Sequence, residues 1–503
     1  MKFIKFAMLP GFMFLISSCI SDKGKLMNPE KPNIVFILID DLGYKDVGCY
    51  GSYFYETPNI DRLAEEGLKF TQSYTASAVC SPSRASILTG KHPGRLHLTD
   101  WTGPDEWHPK GKLKTPEFEE DLSKDEFTLV EALKEQGYTS LYIGKWHLGA
   151  EDNYPRYHGF DRDIAATNAG APPSYFYPYI RANWAGTGWP TDIPDLKEGT
   201  EGEYLTDRLT SEAVNFLDTI NNRPFFLYLS HYGVHKPFEA KKELIEKYQD
   251  KAKMIRYENQ DSILREKNNS YTRTRQDHAV YAAMIESVDQ SLGTIMKKLE
   301  ELDLRKNTLV VFTSDNGGFS TYNFPLPGEK ISYEALATSN LPLRAGKGWY
   351  YEGGIKVPTI FSWPGVIKEG KETDILISSA DFYPTFLEAT GTALIPDQHI
   401  DGISFWEACQ DNSMESLRNE MYWHYPHYHG SGQKPASSIR QGKYKLIHWI
   451  EEDYYELYDL EADPGEKVDL SENLPEMGNA LMEKLEEWRE EAGVQMPGGL
   501  SKE

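Results

Sequence analysis

The run Asn33-Ile-Val-Phe-Ile-Leu-Ile39, introduced by Pro32, contains bulky apolar residues with no polar alternation. A strand with one wet face alternates, so an unbroken β-prone run fits a strand covered on both faces of a parallel sheet. Further β-prone stretches at 139–143, 224–230, 308–313 and 357–363 are separated by helical ones at 59–66, 129–136, 207–220 and 280–302. The last repeats apolar residues at Val280, Met284, Val288, Leu292, Ile295, Met296 and Leu299, a helical period. Strands alternating with helices predict an α/β fold with a mostly parallel sheet flanked by helices. At 503 residues the chain suggests one large domain plus a smaller one. Residues 241–276, charged and weakly periodic, read as a surface insertion of helices and loops.

Each strand is followed by polar residues. Asp40-Asp41 follows the first, Lys145-Trp146-His147 the second, His231 to His235 the third and Asp315-Asn316-Gly317-Gly318 the fourth. In doubly wound sheets ligands sit beyond the carboxyl ends of the strands, so these clusters converge on one crevice. Asp40, Asp41, Asp315 and the Asn316 carbonyl offer only oxygen ligands, which suits calcium or magnesium over zinc.

Cys80-Ser-Pro-Ser-Arg84 continues as Ala-Ser-Ile-Leu-Thr89-Gly90. Pro82 suits the first turn of a helix and Gly90 its end. Cys80 is thereby placed at a helix N-terminus, which favours negative oxygen, with Arg84 one turn on. The string Cys-x-Pro-Ser-Arg-x-x-x-x-Thr-Gly resembles the signature of the type I sulfatases, of alkaline-phosphatase-like fold. The resemblance implies that Cys80 is oxidised to formylglycine by a maturation enzyme, and that Asp40, Asp41, Asp315 and Asn316, with residue 80, hold one calcium ion. It also implies catalytic roles for Arg84, Lys145, His147, His235 and Lys347, the last in Arg344-Ala-Gly-Lys347. The implied mechanism is attack on sulfur by one hydroxyl of the hydrated aldehyde, with His235 and Lys347 at the leaving oxygen. His147 then assists collapse of the diol and expulsion of sulfate. Which histidine is acid and which is base stays open. The same resemblance leaves two rivals: a phosphonate or phosphate-ester hydrolase of the same superfamily, and a surface glycan-binding protein whose Cys80 stays a thiol.

Acidic residues outnumber basic ones 77 to 53, a formal charge of −24, which argues against nucleic acid as a partner. Lys2 and Lys5, the apolar run 6–16 and Ser17-Ser18-Cys19 read as an export signal over 1–19, too short to span a membrane permanently. Ile16-Ser-Ser-Cys19 resembles a bacterial lipobox, so lipid on Cys19, a tether over 20–31, and a periplasmic or cell-surface location are expected. Cys49 and Cys409 then remain, and no disulfide framework is expected.

The catalytic domain is expected over 32–410, and a small C-terminal α+β domain with antiparallel sheet over 411–503, with a hairpin at 438–447 and 455–459 and a helix at 474–492. The stretch Trp423-His424-Tyr-Pro-His427-Tyr-His429 lacks a partnered cysteine for zinc and reads better as an aromatic rim touching sugar. His424 and His427, with Trp423 and Tyr425, are therefore candidates for substrate binding, and His97 and Asp100 for the opposite rim. The substrate expected is a sulfated sugar, of galactose or N-acetylgalactosamine type, cleaved from a chain end.

Overall fold

The computed structural model describes residues 31–500 except 104–107, 185–189, 221–222, 258–260, 324–332 and 411–416. The export signal, Cys19 and the tether up to residue 30 lie outside the described residues. Eight strands build the main sheet: β1 (Asn33–Ile39), β2 (Leu68–Phe70), β3 (Thr139–Gly144), β4 (Arg162–Ile164), β5 (Phe225–Ser230), β6 (Thr308–Ser314), β7 (Thr359–Ser362) and β8 (Lys371–Thr373). Their spatial order is β8-β2-β7-β6-β1-β5-β3-β4. The block β6-β1-β5-β3-β4 is parallel throughout. Only β7 runs against its neighbours.

The central strand explains its own composition. Val35, Ile37 and Ile39 point into one core with Met284, Val288, Leu292 and Leu299, whereas Ile34, Phe36 and Leu38 enter another with Ala85, Leu88, Phe382 and Phe386. Phe36 meets the rings of Tyr228, Phe382 and Phe386 at 4.8, 5.6 and 5.6 Å. Burying each such side chain contributes about 1.5–3 kcal/mol, so a polar residue anywhere in the run would weaken one layer. Helices α1 (Pro58–Glu65), α2 (Cys80–Thr89), α3 (Leu129–Glu135), α4 (Leu205–Thr219), α5 (Lys242–Met254), α6 (Ala279–Glu301) and α7 (Phe382–Ala389) supply the layers, α1 and α4 to α6 on one side and α2, α3 and α7 on the other. No helix among the described residues is long and apolar enough to cross a membrane.

The charged stretch 241–276 contains more order than its sequence suggests. After α5 it forms the strands Ile263–Arg265 and Ser270–Arg273, and the latter pairs with Thr321–Asn323. That third strand lies about fifty positions away, so no local pattern announces it.

The C-terminal region is a four-stranded antiparallel meander, β9 (Glu420–Tyr425), β10 (Ala436–Gln441), β11 (Tyr444–Trp449) and β12 (Tyr454–Asp459), followed by α8 (Pro475–Glu491). The stretch 438–447, expected as one arm of a hairpin with 455–459, is itself two strands, and the His-rich stretch adds a fourth at the far edge. One face of the sheet packs Ile439, Leu446 and Leu457 against Leu481, Leu485 and Trp488 of α8. The other packs Met421, Trp423, Tyr425 and Trp449 against Ala78, Val79, Trp349 and Tyr351. The small sheet therefore abuts both the approach to Cys80 and the segment after Lys347.

Candidate active site

Helix α2 begins at Cys80 after extended Val79, and ends at Gly90 in the left-handed region (φ 68°). All ten of its residues are buried, so its N-terminus opens inside the protein. Ser83 fixes the first turn by donating from Oγ to the Ser77 carbonyl (2.8 Å). Burial pushes the Cys80 thiol pKa up, against the pull of Lys145 and Lys347.

The groups expected at the strand ends do meet there. Arg84 donates from Nε to Asp315 Oδ2 (2.8 Å) and from Nη1 to the Lys145 carbonyl (2.8 Å) and Ser230 Oγ (2.7 Å). Burial opposes its charge, but Asp315 and Asp40 outweigh burial and raise its pKa. Lys145 Nζ donates to Asp40 Oδ2 at 2.7 Å, and Lys347 Nζ lies 2.6 Å from Asp41 Oδ1 and 4.0 Å from Cys80 Sγ. Three cations thus face three carboxylates, all of them buried.

Two histidines complete it, and their partners fix their tautomers. His147 Nε2 lies 2.8 Å from the Thr102 carbonyl, which can only accept, so Nε2 carries the hydrogen. Its Nδ1 lone pair then faces Cys80 Sγ at 3.3 Å. His235 uses Nδ1–H on the Lys236 carbonyl (2.8 Å), which leaves Nε2 3.6 Å from Asp41 Oδ2. Burial lowers both pKa values, helped by Lys145 at His147 and by Lys347 at His235, so both rings are neutral. Asp41 and His147 adopt positive φ (61° and 59°), a strained backbone that surrounding contacts must hold.

The oxygen donors fit a hard divalent cation. Asp40, Cys80 and Asp315 bring ligand atoms within 4.8 Å of one another. Asn316 Nδ2 donates to Asp41 Oδ1 (2.8 Å), while its Oδ1, like Asp40 Oδ1, is buried with no hydrogen-bond partner. Orphaned buried oxygens of this kind cost free energy unless something positive meets them. Burial and the neighbouring Asp315 and Asp41 push Asp40 up to about 8 despite Lys145. At Asp40 the neighbouring cations do not offset burial. Gly317 is required by packing, because a Cβ there would lie 2.0 Å from the Gly353 carbonyl oxygen.

The four rim candidates divide. Asp100 is buried and accepts from the Trp101 amide (2.8 Å), His108 Nδ1 (2.9 Å) and Tyr425 Oη (2.8 Å). Against its burial, His108 and His427 hold its carboxyl below the usual range. His427 Nε2 bonds Thr99 Oγ1 at 2.8 Å. Asp100 lies two residues before Thr102, the residue that orients His147. His424 is a correction. His424 lies on the α8 side of β9, 1 % exposed, with Ser437 Oγ on Nδ1 (2.7 Å) and the Gln495 carbonyl on Nε2 (2.9 Å). A ring with both nitrogens engaged in the interior cannot line a sugar rim. His97 is turned toward the Gly493 carbonyl (3.3 Å), just beyond α8. His429 packs against the residue after Lys347, since a Cβ on Gly348 would meet its Nδ1 at 2.0 Å.

Residues with no motif to announce them hold the loops in place. Tyr281 Oη donates toward the Asp41 carbonyl (3.1 Å) and Asp46 Oδ2 (2.8 Å). The Asn340 amide nitrogen faces four oxygens: Gly318 O (3.1 Å), Ser320 Oγ (3.1 Å), Ala345 O (2.9 Å) and Gly353 O (3.2 Å). The Gly318 carbonyl also accepts the Lys347 amide (3.1 Å), so Asn340 ties the Asp315 loop to the lysine loop.

Comparison with known proteins accords with this geometry. The family described as Sulfatase matches residues 32–392, and N-sulphoglucosamine sulphohydrolase, C-terminal, matches 345–491. A sulfatase of Formosa agariphila is 30% identical, covering 96% of this chain and 93% of its own. The N-acetylgalactosamine-6-sulfatase of Mus musculus is 30% identical over 93% of this chain and 88% of its own. The crystal structure of Ps i-CgsB superposes with a TM-score of 0.71 at 30% identity, over 91% of this chain and 92% of that one, and is similar also in complex with k-i-k-neocarrahexaose (TM-score 0.70). The chain belongs to the sulfatase family, within the alkaline-phosphatase-like superfamily, and is a sulfuric ester hydrolase.

Proposed function

We propose that this enzyme removes O-sulfate from the terminal sugar of a sulfated glycan, of galactose or N-acetylgalactosamine type, with one calcium ion and with Cys80 matured to formylglycine. The observation that carries the reading is the position of Cys80: at the inner end of α2, between the His147 lone pair and the Lys347 ammonium, beside the orphaned oxygens of Asp40 and Asn316. The formylglycine hydrate would supply the attacking oxygen, and the cation, held by Asp40, Asp41, Asp315 and Asn316, would neutralise sulfate charge. Arg84 and Lys145 set positive charge around the group at residue 80. Neutral His147 can take a proton through Nδ1 from that group. Lys347 stands on Asp41 placed to steady or protonate the leaving oxygen, and His235 Nε2, a lone pair beside the same carboxylate, can accept a proton there. His427 is assigned to the wall that meets the sugar, with the buried Asp100, whose two oxygens are both engaged, holding charge behind it.

Export and lipidation at Cys19 would place the enzyme at the periplasmic or outer face of a membrane, after a formylglycine-generating enzyme has acted. Cys19→Ser should then move it from the membrane fraction to the soluble one. The central test joins mass spectrometry of residue 80 with turnover over a panel of sulfated sugars. An intact thiol in fully active protein would refute the formylglycine assignment, and faster cleavage of phosphonate esters than of any sulfate would overturn the substrate assignment.

A further inference from the structure

Lys145, Arg84 and Lys347 each face a carboxylate within 2.8 Å. A fourth cation at the site does not. Lys236 directly follows His235, whose ring it anchors through its backbone carbonyl. Among the described residues no carboxylate lies at ion-pair distance from its ammonium, although the nearby Lys241, Lys242 and Lys247 are paired with Asp207, Glu246 and Glu286. Its Nζ instead stands 5.5 Å from the centroid of the Phe319 ring, in the loop that follows Asp315. A cation over an aromatic face is oriented without being neutralised.

The side chain of Lys236 is exposed to solvent. Its pKa is nevertheless lowered, first by loss of solvation and then by Lys347, with Asp41 opposing. The residue is exposed, yet neighbours that include the Phe319 ring crowd its ammonium. In a chain of net charge −24, a cation with no carboxylate partner among the described residues is an exception to the local pattern. The reaction itself does not require it, because the reacting sulfate is already met by the groups around residue 80.

We infer that Lys236, held over Phe319, is a subsite for a second anionic group of the substrate, a sulfate or a carboxylate beside the sulfate that is cleaved. This rests on the sulfated-sugar reading above and narrows it to polyanionic glycans. An anion arriving there exchanges water for a charge-assisted contact with an ammonium that no described carboxylate neutralises.

The test compares wild type with Lys236→Met, which keeps the stem and removes the charge, and with Lys236→Arg, both in natively matured enzyme. Four substrates are needed: an aryl sulfate, a monosulfated sugar, a disulfated sugar and a sulfated disaccharide carrying a uronate. Lys236→Met should lose about tenfold in kcat/KM, the size of one charge-assisted contact, on one or both polyanionic sugars, with less than about twofold change on the other two. Lys236→Arg should restore most of that loss, and the salt dependence of the wild-type rate on the same sugar should flatten in the Met variant. Loss confined to the disulfated sugar identifies a sulfate, and loss confined to the uronate identifies a carboxylate. Equal loss on all four substrates, or on none, would overturn the subsite. Aryl sulfate cleavage by a wild-type enzyme that turns over none of the sugars would instead overturn the sugar reading and this subsite with it.

Discussion

His147 Nδ1 lies 3.3 Å from Cys80 Sγ because its other nitrogen is held by the Thr102 carbonyl at 2.8 Å. One backbone oxygen thereby decides which lone pair faces the residue that is matured. Removing a positioned acid–base group of this kind lowers rates by about 10²- to 10⁴-fold. His147→Ala should reduce kcat on any sulfate ester within that range, while residue 80 is still matured. Single-turnover kinetics with mass spectrometry of residue 80 check both halves. A variant with unmatured Cys80 would show that the histidine acts on maturation instead.

The carboxylates predict a pH-dependent response to metal. Asp40, raised to about 8 by burial and by its neighbours, binds its proton more tightly folded than unfolded. Its contribution to the stability of metal-free protein is therefore fullest below pH about 4 and is lost as pH rises toward 8. A cation displaces that proton and removes the loss. Stabilisation by added calcium, measured as the Tm difference between calcium-loaded and chelated protein, should grow between pH 5 and 8 in about that window. Asp315→Ala should abolish the difference. A calcium effect flat in pH would place the ion elsewhere.

Asn340 makes a separate prediction. Its amide spans the loop after Asp315 and the backbone two residues before Lys347. Asn340→Ala should lower kcat by about tenfold or more, since a small misplacement of a catalytic group can cost that much. In a Lys347→Ala background the same change should add little, because the group that Asn340 positions is already gone. Additive losses in kcat would make Asn340 a purely structural residue.

Much of this site is readable in the sequence because its residues lie at strand ends. Asp40, Lys145, His235 and Asp315 each follow a strand whose apolar run is unmistakable, and the parallel sheet does the rest. Asn340, Asp46 and Tyr281 escape such reading, since each acts through partners scattered along the chain that leave no spacing to find. Lys236 escapes for another reason: its meaning lies in the absence of a carboxylate partner among the described residues, which is a property of the folded surface. The rim went astray because period-two alternation in Met421-Tyr-Trp-His-Tyr425 is masked when both faces are aromatic or histidine.

His424 can be tested as the interior residue it is. Its ring bridges β10 to the segment after α8 through Ser437 Oγ and the Gln495 carbonyl, and burial lowers its pKa to about 3. Folded protein therefore keeps this ring neutral where the unfolded chain, with a histidine pKa near 6.5, takes up a proton. The stability it contributes is present above pH about 6.5 and is lost as pH falls from there toward 3, by up to about 1.4 kcal/mol per pH unit. His424→Ala should destabilise the protein at pH 7 by about 1–3 kcal/mol, because two buried partners lose their hydrogen bonds. It should also flatten the decline of stability between pH 6.5 and 5. Urea titrations of both proteins at pH 7 and pH 5 measure the two effects together. At a temperature where both are folded, kcat/KM on sulfated sugar and on aryl sulfate should change by the same small factor. A loss confined to the sugar would return His424 to the substrate rim.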